Sequence, residues 1–321
     1  MTNQFIWAYL LNFSHGNIDD FPPGDGGRCI NDRPLDFHVP TWNKVVDMLV
    51  ENKCCNTIVI DVCDGIQYES HPELAVEGSW SKKRLANEIE RLRTLGFEVI
   101  PKLNFATSHD RWLGIYSRMI STPMYYKVCK DVIDEVAELF GNPRLFHLGM
   151  DEECESVQKR QPITIIRQGE LLWHDINYLF SCVEKHGCRP WVWGDSVWHT
   201  KESEKSFVEN MSHDALISNW YYGDWKHTSG FFVDSMNGYR VLEEHGFDQV
   251  PTGANPNYVV EYCRDNFRLT VENCSKIIAD ERLKGFMMAP WQYCQERHLP
   301  RFIEAIEVMK ETYDDYYKKI K

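Results

Sequence analysis

The chain has 321 residues, 43% of them hydrophobic and 13% aromatic, which is too apolar for a disordered polypeptide and enough for a sizeable core. Its net charge of −13, without a basic run, argues against nucleic acid or an anionic membrane surface as a partner. No apolar stretch approaches the roughly 18 residues of a membrane span, and Met1-Thr2-Asn3-Gln4 lacks the basic region of a signal peptide.

The first strand-like run is Phe5–Leu11, followed by an irregular stretch, Asn12–Pro40, and a helical pattern over Trp42–Glu51. Asn56–Asp61 reads as the second strand, Val62–Trp80 as a loop and Ser81–Leu95 as a helix. The alternation continues with strand Phe97–Asn104, helix Pro123–Phe140, strand Arg144–Gly149 and helix Gln168–His186. Strand Arg189–Gly194, helix Lys201–Met211, strand Ala215–Trp220 and helix Asp234–Glu244 come next. Strand Phe247–Thr252, helix Val271–Leu283, strand Gly285–Trp291 and helix Pro300–Tyr317 complete the pattern. Ser81 and Ser121/Thr122 sit where helix N-caps belong, and Gly96, Gly141, Gly187 and Gly246 sit where helices end. No Ser/Gly-rich linker or repeat divides the chain. Eight strands alternating with eight helices predict an α/β fold, a single (β/α)8 TIM barrel over residues 1–321.

In such a barrel the active site lies at the C-terminal ends of the strands. The residues predicted there are Asp61 and Asp64 after strand 2, Asn104 and His109 after strand 3, and His147, Asp151 and Glu152 after strand 4. Trp193 and Asp195 follow on strand 5, Asn219 and Trp220 on strand 6, and Trp291 on strand 8. Acids, His and Trp on one rim suit a carbohydrate site, because Trp faces pack against sugar C–H groups and attract positive charge. Asp151-Glu152-Glu153 carries most weight. Adjacent carboxylates resist desolvation and raise one another's pKa, which lets one stay protonated beside an ionised neighbour. Capping a following helix is the competing reading.

His147-x-Gly149-x-Asp151-Glu152 resembles the His-x-Gly-Gly-Asp-Glu motif of glycoside hydrolase family 20, the exo-β-N-acetylhexosaminidases. Val99–Asn104 with His109, Trp193-Gly194-Asp195, Ile217–Trp220 and the segment from His245 to Tyr258 resemble the family's strands 3, 5, 6 and 7 in order. The resemblance implies that the substrate's 2-acetamido oxygen is the nucleophile and that Glu152 protonates the glycosidic oxygen and then activates water. It further implies that Asp151 holds the acetamido N–H and stabilises the oxazolinium-like intermediate, with the other rim residues and Tyr258 binding substrate. In a regular strand Asp151 and Glu152 would face opposite sides, so a turn at Gly149 must bring both to the cavity.

The chain departs from that pattern in three places. Met150 replaces the motif's second Gly, strand 1 has no Arg (Arg28 or Arg33 are the substitutes at hand), and Tyr293 stands where a Glu follows Trp291. A metal-dependent sugar isomerase or hydrolase using Asp61, Asp64, His109, His147 and Asp151 is one alternative. An inactive carbohydrate-binding barrel is another. The main reading needs no metal or cofactor and takes a small sugar or oligosaccharide as partner. The eleven cysteines are irregularly spaced without a CxxC pair, and Cys63 and Cys182 lie in apolar patterns, so reduced thiols in a cytoplasmic protein are expected.

Overall fold

A computed structural model describes residues 4–14, 34–159, 165–228, 230–255 and 263–320. Its eight parallel strands are β1 Ile6–Asn12, β2 Thr57–Asp61, β3 Glu98–Lys102, β4 Leu145–His147, β5 Arg189–Trp193, β6 Leu216–Ser218, β7 in two short pieces (Asp248–Gln249 and Thr252–Gly253) and β8 Gly285–Met288. Register runs Asn12↔Asp61, Asp61↔Lys102, Lys102↔His147, His147↔Trp191 and Trp193↔Ser218 around the ring. The first piece of β7 pairs with β6 and the second with β8, and β8 pairs with β1, so the sheet closes into a barrel. Pro251, which has no N–H to give a ladder, marks the break in β7. Its carbonyl still accepts from Met287 N–H at 3.0 Å.

Both faces of the strands are buried, which is why they read as continuous apolar runs rather than as alternating ones. Ala8, Leu10, Val59, Ile100, Trp191 and Met287 fill the interior of the barrel. Trp7, Tyr9, Leu11, Ile58 and Ile60 point the other way, into the layer between strands and helices. The eight outer helices are α1 Val39–Asn52, α2 Lys82–Thr94, α3 Pro123–Leu139, α4 Gly169–Glu184, α5 Lys201–Asn210, α6 Phe231–Glu244, α7 Asn266–Ile277 and α8 Leu299–Ile320. In α2, for example, Leu85, Ile89 and Leu92 form the buried stripe at helical spacing. Ser81 and Thr122 cap α2 and α3 through their side-chain oxygens, and the four predicted terminal glycines all have positive φ.

Strands β3, β4 and β8 stop two or three residues short of their predicted ends, where the chain leaves the ladder to turn side chains over the rim. Helix α7 lies earlier than expected, beginning at Asn266 and ending at Ile277, because the segment to Leu283 already turns toward β8. The stretch Val62–Trp80 carries single turns at Cys63–Gly65 and Pro72–Leu74 and a small parallel ribbon, Ile66–Gln67 with Trp80–Ser81. No helix among the described residues is long and apolar enough to cross a membrane.

Candidate active site

After His147 the backbone enters the left-handed region three times, at Gly149 (φ 71°), Met150 (φ 70°) and Glu152 (φ 56°). A β-carbon at residue 149 would lie 2.0 Å from Asn104 Oδ1, so this turn needs Gly for space as well as for φ. The turn ends the strand's alternation of faces. Asp151 and Glu152 therefore reach the same imidazole. His109 Nε2 lies 3.3 Å from Asp151 Oδ2 and 3.5 Å from Glu152 Oε2.

The three consecutive carboxylates meet different surroundings. Asp151 Oδ1 accepts from Asn104 Nδ2 at 2.9 Å, while Asn104 Oδ1 accepts the backbone N–H groups of Ala106 and Met150. Burial alone would raise the Asp151 carboxyl, but His109, Lys102 and Asn104 hold it well below the usual carboxylate range. The sequence reading left one carboxylate of the pair ionised, and the surroundings of Asp151 favour its charged form. Glu152 keeps a third of its side chain exposed (32%), and its backbone N–H donates to Asp195 Oδ2 at 2.7 Å. Glu153 turns away into the protein, where Arg167, Gln158 and both the N–H and the hydroxyl of Thr107 bind its carboxylate. It thus ties the loop carrying His109 to the end of β4. The helical turn that follows, Glu155–Gln158, has Cys154 at its N-cap, so none of the three acids caps it.

Beneath these groups lies a buried charged floor. Asp61 is wholly buried and paired with Lys102 Nζ, a lysine whose neighbours on the ladder are Asp61 and His147. Burial disfavours the Lys102 ammonium, yet Asp61, Cys63 and Asp151 keep its pKa above the ordinary value. Burial and Lys102 push the His147 imidazole well below 6.5, so it is neutral. Its Nδ1 accepts from Gly149 N–H at 3.0 Å, which places the ring proton on Nε2. Asp64 is buried and bonded by the Ser14 hydroxyl. Asp61, His147 and Asp195 have no exposed surface, and this structure does not present them to a ligand as the sequence reading expected. Among the described residues no three His, Cys, Asp or Glu side chains are grouped to hold a metal ion. The proposed ligand Asp61 is already neutralised by Lys102.

The aromatic residues form one wall. Trp193 packs against His147 with centroids 4.6 Å apart and against Trp291 at 5.8 Å, and Trp291 meets Tyr222, which stacks on Trp220 at 5.0 Å. The indole N–H groups of Trp193 and Trp291 are buried without an acceptor among the described residues. Asn219 takes the Trp198 N–H at 2.7 Å and so fixes the ring against which Trp220 leans. β1 ends at Asn12, which bridges to Tyr293, so an amide stands at the strand end where the resemblance would place an Arg. Tyr258, Arg28 and Arg33 lie outside the described residues.

Sequence reasoning missed Lys102, Arg167, Tyr222 and His199. His199 Nε2 lies 2.7 Å from Asp195 Oδ2, four residues back along a turn of helix, and that i, i+4 spacing was the available signal. Burial opposes charge on this imidazole, but Asp195 and Cys154 raise its pKa to about 10.

Comparison of the sequence with protein-family models and with curated proteins finds no match. Comparison of the fold with solved structures does. It is similar to the family 20 chitobiase of Flavobacterium johnsoniae, at 18% identity and TM-score 0.61 over 87% of this chain and 48% of that one. The family 20 exo-β-N-acetylglucosaminidase of Vibrio harveyi matches at 15% identity and TM-score 0.61 over 95% of this chain and 54% of that one. Dispersin B matches at 12% identity and TM-score 0.59 over 96% and 99%. The chain spans about half the length of the Flavobacterium and Vibrio proteins. It has the (β/α)8 fold of the family 20 catalytic barrel.

Proposed function

We propose that this protein is a glycoside hydrolase that removes terminal N-acetylhexosamine by substrate-assisted, retaining catalysis. The observation that carries the reading is the convergence of Asp151 and Glu152 on His109, with Asp151 held ionised. An ionised Asp151 accepts the acetamido N–H and faces the positive charge of the oxazolinium-like intermediate. Glu152, partly exposed beside it, donates a proton to the departing oxygen and then takes one from the attacking water. Trp220 and Trp291, with Tyr222, offer ring faces to the sugar, and the buried Trp193 packs behind Trp291. Asp61, Asp64, Asn104, His147 and Asp195 act from beneath, fixing the strand ends and the turn through Glu152. By the family resemblance, Tyr258 would bind substrate.

The fold shared with the chitobiase and the exo-β-N-acetylglucosaminidase supports this reading, as does the order of the motifs along the chain. Free thiols at Cys54, Cys63, Cys129 and Cys274 suit a reducing compartment, and we place the protein in the cytoplasm on that basis. The test is hydrolysis of 4-nitrophenyl N-acetyl-β-glucosaminide and its galacto counterpart, beside the plain β-glucoside. Turnover of the acetamido sugars alone, blocked by a thiazoline analogue of the intermediate, is the expected result. Equal turnover of the plain glucoside would show that the acetamido group is not the nucleophile. No turnover of any of them would overturn the hydrolase reading.

A further inference from the structure

Asp195 is wholly buried just beyond β5, and its Oδ2 accepts two hydrogen bonds, from the backbone N–H of Glu152 at 2.7 Å and from His199 Nε2 at 2.7 Å. Its Oδ1 is buried without a partner among the described residues. A buried carboxylate held by one backbone donor is costly, so the His199 imidazolium is what offsets its charge. His199 ends the helical turn Ser196–His199, and its ring packs against Trp198 with centroids 4.5 Å apart. It lines a cavity of about 240 Å³ together with Lys201. That lysine is engaged by Glu204 at 2.7 Å, so it does not replace the imidazolium.

Glu152 needs an anchor. Its φ of 56° lies in the left-handed region, where a residue with a side chain stays only when its surroundings fix it. Its side chain is 32% exposed, so packing does little of the fixing. Backbone bonds hold it instead: its carbonyl accepts from Cys154 N–H at 2.7 Å, and its N–H donates to Asp195.

We propose that His199 is a positioning residue for the acid step: through Asp195 it holds the Glu152 backbone in the conformation that aims the carboxyl at the departing oxygen. Without the imidazolium, Asp195 is a buried charge with a single donor and takes up a proton. A neutral carboxyl is the weaker acceptor, so Glu152 N–H is released and its backbone relaxes out of the left-handed region. The proton donor then leaves its line of attack, and a displacement of about 1 Å is enough to cost roughly 10²-fold in rate. The effect on turnover rests on the hydrolase reading, whereas the hold on the Glu152 backbone does not.

The experiment compares wild type with His199→Leu, which keeps an apolar body against Trp198 and removes the donor. Hydrolysis of N-acetylglucosaminides with poor leaving groups should fall by about 10²-fold, and that of activated aryl glycosides by far less, because only the former depend on a well-placed acid. A variant that slows all leaving groups equally has merely lost folded enzyme, and that result overturns the proposal. The second reading is the proton resonance of Glu152 N–H, which should lie downfield in wild type and move upfield in the variant. An unchanged resonance overturns the proposal. Should His199→Leu fail to fold, adding Asp195→Asn removes the stranded charge, and the same two shifts are expected of the double variant. If wild type cleaves no glycoside, the hydrolase reading falls, and the Glu152 resonance still decides whether His199 holds that backbone.

Discussion

The side chain of Asn104 fills the space that a β-carbon on residue 149 would occupy: such an atom would lie 2.0 Å from Asn104 Oδ1 and 2.9 Å from Asn104 Cα. That amide also donates to Asp151 and accepts from Met150 N–H, so the close approach of two strand ends sets where the carboxylate stands. In Gly149→Ala the positive φ alone costs about 1–2 kcal/mol, and the overlap forces Asn104 off Asp151. Thermal unfolding should occur at lower temperature, and turnover should drop further than the lost stability explains. A variant with wild-type turnover would mean that Asn104 does not position Asp151.

The neighbouring carboxylates have different roles and should separate kinetically. Glu152→Gln keeps shape but removes the proton donor, so poor leaving groups should slow by roughly 10²–10⁴-fold and activated aryl leaving groups by less. Asp151→Asn removes a charge facing the developing cation, so even good leaving groups should slow. Rates measured across a series of aryl N-acetylglucosaminides decide this. An Asp151→Asn enzyme with an unchanged rate on the best leaving group would sink substrate assistance.

Asp151 is held ionised below the range in which carboxylates normally titrate. A depressed carboxylate lends stability that is present above its unfolded pKa and is lost as pH falls through its folded one. Asp151→Asn should therefore narrow the gap in unfolding temperature between neutral and strongly acidic buffer. An equal slope in wild type and variant would show that Lys102 and His109 do not hold that charge.

Arg167 is wholly buried between Glu153 and Asp175 and also donates to Phe105 O. Arg167→Met leaves two buried carboxylates without their shared cation, and breaking a buried pair in this way costs about 3–5 kcal/mol. Chemical denaturation should show that loss, with part of it recovered when Glu153→Gln is added. The single variant should also loosen the loop carrying His109, because Glu153 fixes Thr107.

The His199 ring should still carry its proton at pH 8, since Asp195 and Cys154 hold its pKa near 10 against the cost of burial. A raised imidazole pKa lends stability that is complete below the ordinary value of 6.5 and fades as pH climbs through about 10. Nitrogen chemical shifts of the ring across pH 6 to 10 read this directly. A midpoint near 6.5 would mean that the pair with Asp195 is broken in solution.

The strands, the outer helices and the acid-rich end of β4 were all legible in the sequence, because each rests on local pattern. Apolar runs such as Thr57–Asp61, the stripe of α2 and the glycines that end helices depend on residues close along the chain. Tertiary structure decided what Asp151, Glu152 and Glu153 each became. Their partners Asn104, Lys102, His109, Asp195 and Arg167 come from other strands and loops, and the positive φ at Met150 and Glu152 breaks the alternation that a strand would impose. A row of like charges cannot reveal which member will meet a buried lysine and which a buried arginine. Closure of the barrel settles that, by bringing distant ends of the chain within hydrogen-bond reach of one turn.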